Sequence, residues 1–594
     1  MNLREVDISK LLSILNEVNK DNLMRDTHEI SRWIRITGSE EEEKAFDYIK
    51  TRCEEVKASI TEYKPVIFSS VPVEAQLLVE LPEGGTRNIP CITHSMSPST
   101  PPTGITGKLI LYEELSLNER ENRFALVRGI ANPKALLDAT LKGASACIFL
   151  ADTDPPPEMI VSPVWGSPNL EDLKKLPQIP TISVGFNHAQ ELLSYAKRGL
   201  TAKIFTKVKT KWTKTNCIVA EIKPDSEAES ELFILLSGHV DSWYHGAMDN
   251  ASGNACQLEI LRIASLHRKE LQRSLKVAFW SGHSHGRYGG STWYSDQNYL
   301  DLLSNCIVHI NADCLGAKGA SVVTEGNIME ETRFVGERVI EIVCGQKLIG
   351  NRFTRMGDQS FWGCGVPSLL VTPAEQPPST KGATSMLLGR KRTGGLGPWW
   401  HTPLDTIDII DPENLVRDTK IILGATWWFL TAPLIPLIPL SAVIEISNYI
   451  DEYAKRWQRV CPGEEDMQIS SAIEIALELS IKLKNRLHEA ETYLEKLEAS
   501  TLKKRLPYIN RKILDIERIL VRLNYCSGPF YFHDPATPEP PMPILLEPER
   551  LEYLSDIDQK MAFLVELRRR LNGVHEMLWM ALIATESLIS ELKS

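Results

Sequence analysis

Two histidines lie one residue apart in the stretch WSGHSHGRYGGSTWYSD, which runs from Trp280 to Asp296. They are His283 and His285, and they follow the apolar run SLKVAFW, which is typical of a buried strand. An imidazole can bind a metal ion or accept a proton near neutral pH. The same pair also occurs in ordinary surface loops, so this stretch alone does not decide between catalysis, metal binding and a polar loop.

Further potential metal ligands follow other apolar runs of the chain. One run ends in SGHVDSWYHGAMDNASGNA, another ends in HINADCLG, and the loop WWHTPLDTIDII comes later. Because the carboxyl ends of the strands form the ligand-binding edge of an α/β sheet, residues there are candidates for a common site. A single aspartate after a strand is commonly a turn residue, but several ligand types at successive strand ends predict a metal centre. The candidates are His239, Asp241, Asp249, Asp313 and His401.

The elements that would position these residues form four predicted regions. Strands alternate with helical patterns over 211–438, which predicts an α/β domain. Short β-rich runs between proline-rich loops fill 71–210 and predict a compact inserted domain. Residues 1–70 are predicted to be the N-terminal part of the α/β domain, with two helices in the first sixty residues and Ser39 capping the second. The almost wholly helical residues 439–594 predict a bundle, which often carries a dimer interface.

The composition is that of a large globular protein. Of the 594 residues 43% are hydrophobic and 24% are charged, and the net charge of −11 argues against nucleic acid as the main partner. The eleven cysteines include no CxxC pair and the N-terminus has no secretory pattern, so we expect free thiols in the cytoplasm. The apolar stretch 421–446 has the length of a membrane span, but Pro433, Pro436 and Pro439 interrupt it. We therefore expect a buried helix that ends near Ala432, and no membrane association.

The order and the residue patterns of these segments resemble those of the co-catalytic zinc peptidase family, which includes bacterial zinc aminopeptidases, glutamate carboxypeptidase and the transferrin receptor. RITGSEEEEKAFDYIKTRCEE is similar to the opening helix of that family, and KALLDATLKGASACIFLAD is similar to its inserted protease-associated domain. INRKILDIERILVRLN is similar to the helical dimerisation domain of the glutamate carboxypeptidase branch. The resemblance implies a zinc-peptidase-like α/β domain with a mixed sheet, a β-rich protease-associated insertion and a C-terminal helical bundle that forms a homodimer.

The resemblance also implies roles for the strand-end residues. His239 and Asp313 would bind a first zinc ion, Asp249 would bridge it to a second ion, and His401 would bind that second ion. Asp241 would orient His239 and fix its tautomer. A water held by one or two divalent cations would be the nucleophile.

The two histidines of Trp280–Asp296 depart from the family, which has a Glu-Glu pair in this turn. The first glutamate is the general base and the second binds the second metal ion. Alignment from Trp280 puts His283 at the base position and Ser284 at the ligand position, whereas alignment from Gly290 and Ser291 puts Ser284 and His285 there. A one-residue insertion would make His283 the base and His285 the ligand, which chemistry favours because a serine hydroxyl suits neither role.

The sequence therefore predicts a metal-dependent hydrolase that acts on a peptide or small amide, similar to aminopeptidases or glutamate carboxypeptidase. The alternative is an inactive dimeric binding or scaffold protein, because both glutamates are absent. Three further residues, in MGDQSFWGCGVPSL and LLGRKRTGGLGPWWH, are expected to contact the substrate: Asp358, Gln359 and Arg390.

Overall fold

The computed structural model describes residues 3–116, 122–226, 229–379, 392–461, 468–496 and 505–593. The strands of this part of the chain form two large sheets and one short pair. In chain order they are β1 Ser59–Tyr63, β2 Val66–Glu80, β3 Thr86–Ile89, β4 Ile92–Thr93, β5 Ile105–Leu111, β6 Arg123–Arg128, β7 Ala146–Leu150, β8 Thr181–Val184, β9 Thr201–Lys214, β10 Cys217–Ile222, β11 Phe233–His239, β12 Ser274–Trp280, β13 Cys306–Asn311, β14 Asn327–Ile328 and β15 Asn351–Arg352.

The central sheet has the order β1-β10-β12-β11-β13. Strand β11 runs parallel to β12 and β13, whereas β10 is antiparallel to β12 and to β1. Every residue of β11 is buried, as expected for a parallel strand in the middle of an α/β sheet. The carboxyl ends of three parallel strands, at His239, Trp280 and Asn311, therefore lie side by side. The predicted α/β domain with a mixed sheet is confirmed.

Helices pack on this sheet and share one hydrophobic core with it. The N-terminal region contains three helices rather than the two predicted, because Asn19 accepts a hydrogen bond from the backbone N–H of Asn22 and begins a new helix. Ser39 caps the third of them, as predicted. The α-helices before residue 432 are Ile8–Leu15, Lys20–Ser31, Glu40–Glu55, Pro133–Leu141, Phe186–Lys197, Gly253–Leu266, Gly289–Gln297, Tyr299–Asn305, Arg333–Cys344 and Pro412–Thr431.

A second sheet is formed by residues 66–214, which lie in the chain between β1 and β10. Its order is β3-β2-β9-β5-β6-β7-β8-β4, and its core includes Phe124, Ile148 and Leu192. Since β1 and β10 are hydrogen-bonded neighbours in the central sheet, this second sheet is an insertion in the α/β domain. The chain enters and leaves it through the long antiparallel pair of β2 and β9.

The described residues after Pro439 are largely helical. The apolar stretch 421–446 is shared by two helices, the first of which ends at Thr431 and is buried around Trp427 and Trp428. Among the described helices, none has the length and apolarity that a membrane span requires. The α-helices of this region are Pro439–Val460, Ile469–Lys496, Leu506–Tyr525 and Ile557–Lys593.

Candidate active site

His239, the last residue of β11, is fully buried at the carboxyl edge of the central sheet. Its Nδ1 lies 2.7 Å from the backbone carbonyl oxygen of Asp241, so Nδ1 carries the proton and Nε2 is the free nitrogen. That Nε2 lies 3.0 Å from Oδ1 of Asp249 and 3.6 Å from Oδ1 of Asp313. One imidazole and two carboxylates thus meet at this edge.

His401 approaches the same aspartate from the opposite side. Its Nδ1 lies 2.7 Å from the backbone carbonyl oxygen of Glu158, a residue of the inserted region, and its Nε2 lies 3.0 Å from Oδ2 of Asp249. The backbone N–H of Glu158 donates in return to the carbonyl oxygen of His401 at 3.0 Å. Each oxygen of Asp249 therefore faces the Nε2 of a different histidine, which is the arrangement expected of a bridging carboxylate.

The position of Asp249 depends on two residues that the sequence did not single out. Asp405 accepts hydrogen bonds from the backbone N–H groups of Met248 at 2.8 Å and Asp249 at 3.1 Å. Burial raises the pKa of Asp405 to about 7. Arg35 is also fully buried and donates to backbone carbonyls of the loop that joins His239 to Asp249. The only signals in the sequence are the HTPLDT and RITG segments that contain these residues.

The residues present fit a divalent metal ion. The buried Nε2 of His239 has no hydrogen-bond partner in the described part of the chain, although carboxylate oxygens surround it. Imidazole nitrogens and carboxylate oxygens are ligands that zinc prefers. Burial lowers the pKa of His239, but the carboxylates of Asp249 and Asp313 outweigh it and raise that pKa well above its ordinary value. The site thus favours positive charge at the point where a cation would bind.

His283 lies beside this group. Its ring stacks on that of His239, with centroids 3.8 Å apart and planes 14° apart, and one ring nitrogen lies within 4.8 Å of ligand atoms of His239 and Asp313. The nitrogen lone pairs of two stacked rings lie in two parallel planes, whereas the lone pairs of two ligands of one zinc ion must converge on it. This geometry suits a group that acts next to the metal position better than a second imidazole ligand.

Asp241 has a different role from the one expected. The backbone carbonyl of Asp241 orients His239, while its carboxylate is 3.9 Å from that ring. The carboxylate instead accepts hydrogen bonds from the backbone N–H groups of His283 at 3.1 Å and Ser284 at 2.8 Å, and from the hydroxyl of Thr37 at 3.0 Å. Asp241 therefore holds the turn that carries the two histidines.

His285 is not placed beside His401, where a ligand of the second ion was expected. Its Nδ1 lies 3.1 Å from Oγ1 of Thr37 and 3.8 Å from Oδ2 of Asp241, and its ring packs on Trp243 with centroids 4.3 Å apart. The turn held by Asp241, together with a 2.7 Å hydrogen bond to the carbonyl of His285 from Ser70 of β2, turns this residue away. Among the described residues, the carboxylate of Asp249 and the imidazole of His401 are therefore the groups that could hold a second ion.

A cavity of about 220 Å³ opens over these residues. It is lined by residues of the α/β domain, the inserted region and the C-terminal region, so all three contribute to one wall. Asp358 and Gln359 were expected to line it, but both are 1% exposed and neither is among the described lining residues. Arg390 lies outside the described residues. The lining includes Lys134, Met159, Asp249, His283, Arg287, Asp313, Cys314, Trp400, His401 and Ala536.

Gln359 has a packing role below the cavity. Its Oε1 lies 3.2 Å from Nδ1 of His309, and the other nitrogen of that ring is 2.7 Å from the hydroxyl of Ser237. Both nitrogens of His309 are therefore occupied inside the core. Asp358 contacts His283 instead, with 3.0 Å between its Oδ2 and Nδ1 of that ring.

Residues 217–426 match the sequence profile of Peptidase family M28. The probable glutamate carboxypeptidase AMP1 of Arabidopsis thaliana is 25% identical over 337 residues, which cover 52% of this chain and 44% of that protein. Carboxypeptidase Q of Xenopus laevis is 30% identical over 193 residues, which cover 32% of this chain and 38% of that protein. The chain thus spans less than half the length of these two relatives.

Solved structures show the same fold. An aminopeptidase from Aneurinibacillus sp. strain AM-1 aligns with a TM-score of 0.52 and 22% identity, over 70% of this chain and 94% of that one. A peptidase M28 precursor from Shewanella amazonensis SB2B aligns with a TM-score of 0.54 and 16% identity, over 71% and 96%. Residues 217–426 of this chain are therefore similar to peptidase family M28, which agrees with the resemblance to co-catalytic zinc peptidases that the sequence predicted.

Proposed function

We propose that the chain is a metal-dependent hydrolase of peptide or other amide bonds. The observation that carries this proposal is the pair of histidines, His239 and His401, whose Nε2 atoms face different oxygens of the buried Asp249. Zinc bound there would supply a water acidic enough to act as a nucleophile near neutral pH. The inactive alternative is not favoured, because the potential ligands lie together and the family match is to peptidases.

The chain's own residues would orient the site and move the proton. The carbonyl oxygens of Asp241 and Glu158 keep Nδ1 of His239 and His401 protonated, so that Nε2 is the nitrogen of each ring directed toward the metal position. His283 lines the cavity beside this group and would accept a proton from the attacking water. It would then return that proton to the leaving amine.

The experiment combines metal analysis with two substrates, alanine p-nitroanilide and N-acetylalanyl-alanine. The purified protein should contain zinc, lose hydrolysis with a chelator and regain it when zinc is added. His239→Ala should lose both zinc and hydrolysis, because Nε2 of this ring is the nitrogen that faces both Asp249 and Asp313. The matched control is His245→Ala, since among the described residues Nδ1 of His245 is hydrogen-bonded only to the carbonyl oxygen of Ser31, at 3.0 Å. A folded protein that binds no divalent metal would refute the proposal.

We also propose that one ion is bound tightly and a second ion weakly. His239, Asp249 and Asp313 offer one imidazole and two carboxylates, whereas the second position shares Asp249 and adds His401. Fewer ligands provide less binding free energy. Calorimetric titration should give one high-affinity zinc ion per chain, and His401→Ala should retain it. Two ions of equal affinity would contradict this proposal.

The substrate proposal is a peptide with a free carboxylate near the cleaved bond. Arg287 lines the cavity at 9% exposure, and its Nη2 donates to the carbonyl oxygen of Ala536 at 3.0 Å. No described carboxylate forms an ion pair with it, so an anionic group of the substrate would compensate its charge. The names of the carboxypeptidase relatives agree with this proposal. N-acetylalanyl-alanine should be cleaved faster than its C-terminal amide, and Arg287→Met should remove that preference through KM.

Homodimerisation through the C-terminal helices is a further proposal. Helix Ile557–Lys593 exposes a large apolar face, and helix Ile469–Lys496 lies beside it with its own exposed isoleucines. The carbonyl oxygen of Ala472 contacts Nε2 of His575, and the side chain of Arg486 contacts that of Glu586. The exposed apolar residues of the two helices lie between these two contacts, so they are at similar positions along the helix axes. Burying such a face in a closed two-fold interface would be favourable. Sedimentation should show a dimer at micromolar concentration, and Trp579→Lys with Ile583→Lys should give a monomer. The exposed residues are Ile475 at 41%, Ile481 at 40%, Trp579 at 58%, Met580 at 45% and Ile583 at 50%.

We propose a reducing compartment, the cytoplasm, because buried cysteines such as Cys53, Cys147 and Cys256 are free thiols. We also propose that the inserted region is a protease-associated domain that helps to build the cavity. Its Glu158 holds His401, and its Met159 and Lys134 line the cavity wall. Deleting this region should therefore affect the metal centre as well as substrate binding.

A further inference from the structure

Asp358 is a buried carboxylate beside the ring of the proposed base. It is 1% exposed, and its Oδ2 lies 3.0 Å from Nδ1 of His283. Its Oδ1 accepts a hydrogen bond from the hydroxyl of Ser291 at 2.8 Å. Both oxygens are thus engaged, which fixes the plane of the carboxylate and the direction from which it meets the ring.

The contact with Asp358 determines which nitrogen of His283 carries a proton. An ionised carboxylate only accepts hydrogen bonds, so Nδ1 must be the protonated nitrogen. Nε2 is then the unprotonated one, and it forms no hydrogen bond with any described residue. The same ring lines the cavity beside His239. Nε2, the nitrogen able to accept a proton, is therefore the one that forms no hydrogen bond with the described residues.

We infer that Asp358 is a positioning residue for His283, and that the two act as a carboxylate–imidazole dyad in place of a single glutamate base. This inference rests on the proposed hydrolase function. In the reaction Nε2 takes a proton from the attacking water as the new C–O bond forms. The Nδ1 proton stays on the ring, and the charge that develops there is balanced by Asp358. The proton on Nε2 then passes to the leaving nitrogen as the C–N bond breaks.

Other contacts restrict the position of the ring but not its rotation. His239 stacks on one face, and Tyr288 meets it edge-on with centroids 4.8 Å apart and planes 82° apart. The backbone N–H of His283 is held by Asp241 at 3.1 Å. None of these contacts distinguishes Nδ1 from Nε2, because a flip of an imidazole keeps its shape. Asp358 is the contact that selects one orientation and one tautomer.

The dyad is tested by a double-mutant cycle on the zinc-loaded protein. The probe is whichever of alanine p-nitroanilide and N-acetylalanyl-alanine the wild type hydrolyses faster. Asp358→Ala should lower kcat about 10- to 100-fold with little change in KM, the usual cost of losing an orienting partner. In a His283→Glu background, Asp358→Ala should cost less than about 3-fold, since a carboxylate base has no tautomer to select. Equal losses in both backgrounds would overturn the inference.

A second readout does not depend on hydrolysis. Long-range proton–nitrogen NMR spectra of the protein labelled with ¹⁵N-histidine report the tautomer of each ring. The zinc-loaded wild type should show His283 with Nδ1 protonated, and Asp358→Ala should show a mixture of tautomers. Tyr288→Phe is the matched control, because it keeps the edge-on ring contact with His283 and both contacts of Asp358, and it should keep one tautomer.

An unchanged tautomer in Asp358→Ala would overturn the dyad even if the protein hydrolyses amides. The expected tautomers in a protein that cleaves neither probe would support the dyad and count against the proposed hydrolase function. The two failures are therefore distinguishable.

Discussion

Replacement of Glu331 by glutamine is expected to stabilise the protein at pH 8 and to change its stability little at pH 4.5. Glu331 lies in the short helical turn Glu330–Thr332, is 1% exposed, and its Oε2 has no hydrogen-bond partner in the described part of the chain. Burial, reinforced by the nearby charge of Glu445, raises its pKa from 4.5 to about 8. The folded protein therefore holds a proton that the unfolded chain would release.

The free energy of unfolding should depend on pH accordingly. Because the folded pKa exceeds the unfolded one, the stabilising contribution is complete below pH 4.5 and is lost as the pH rises toward 8. The difference between 4.5 and about 8 corresponds to about 5 kcal/mol, at 1.36 kcal/mol per pKa unit. Relaxation around the charged form would reduce this, so on the order of 3 kcal/mol should be measurable. Glutamine has nearly the same shape and no charge to bury.

Thermal unfolding of the wild type and Glu331→Gln at pH 5 and pH 8 measures this difference. The melting temperature of the variant should exceed that of the wild type by several degrees at pH 8 and by much less at pH 5. The control is Glu337→Gln on the following helix, where the side chain is 44% exposed. If Glu331→Gln gives the same change in melting temperature at both pH values, the reasoning from burial is wrong.

Three further predictions concern the metal site and the loop that forms it. Because the pKa of His239 is raised, zinc must displace a proton from this ring, so the affinity for zinc should increase from pH 6 to pH 8. Calorimetry in two buffers measures this affinity and the protons released. An affinity for zinc that does not depend on pH would contradict the prediction. Asp405→Asn should weaken zinc binding about 10-fold in the same titration, because an amide offers one acceptor oxygen to two backbone N–H groups. Arg35→Ala should lower the free energy of unfolding in denaturant by more than about 3 kcal/mol, because several backbone carbonyls lose their buried donor. The control Arg32→Ala removes an exposed ion pair with Glu29 and should have little effect.

Most of the fold could be predicted from the sequence because its signals are local. Apolar runs such as SLKVAFW are typical of buried strands, and this run forms one. Ser39 caps a helix by accepting a hydrogen bond from a residue three positions later in the sequence. The grouping of His239, Asp249, Asp313 and His401 could be predicted because the carboxyl ends of parallel strands meet at one edge. The extra helix boundary at Asn19 was missed, since an asparagine cap inside a polar segment is a weak signal.

The turn of the two histidines could not be predicted, because its shape depends on contacts distant in sequence. Asp241 holds the backbone of His283 and Ser284, and Ser70 from the inserted region holds the carbonyl of His285. Spacing alone would allow either ring to face the metal position. For the same reason Asp358, 75 residues after His283, looked like a substrate contact rather than a partner of that ring.

A negative charge is retained in place of one of the two absent glutamates, but it lies further from the cavity. A glutamate base carries one negative charge and becomes neutral when it accepts a proton. The pair of His283 and Asp358 does the same, because a neutral ring beside a carboxylate becomes a cation beside a carboxylate. The negative charge lies one ring further from the cavity, so it compensates a bound cation less strongly than a glutamate would. His285 has a similar partner, with 3.8 Å between its Nδ1 and Oδ2 of Asp241, but that pair faces the turn and not the cavity. Of the two histidines, His283 is the one that lines the cavity, so under the proposed mechanism it would take the function of a glutamate base. The weaker compensation of charge would favour one tightly bound ion over two.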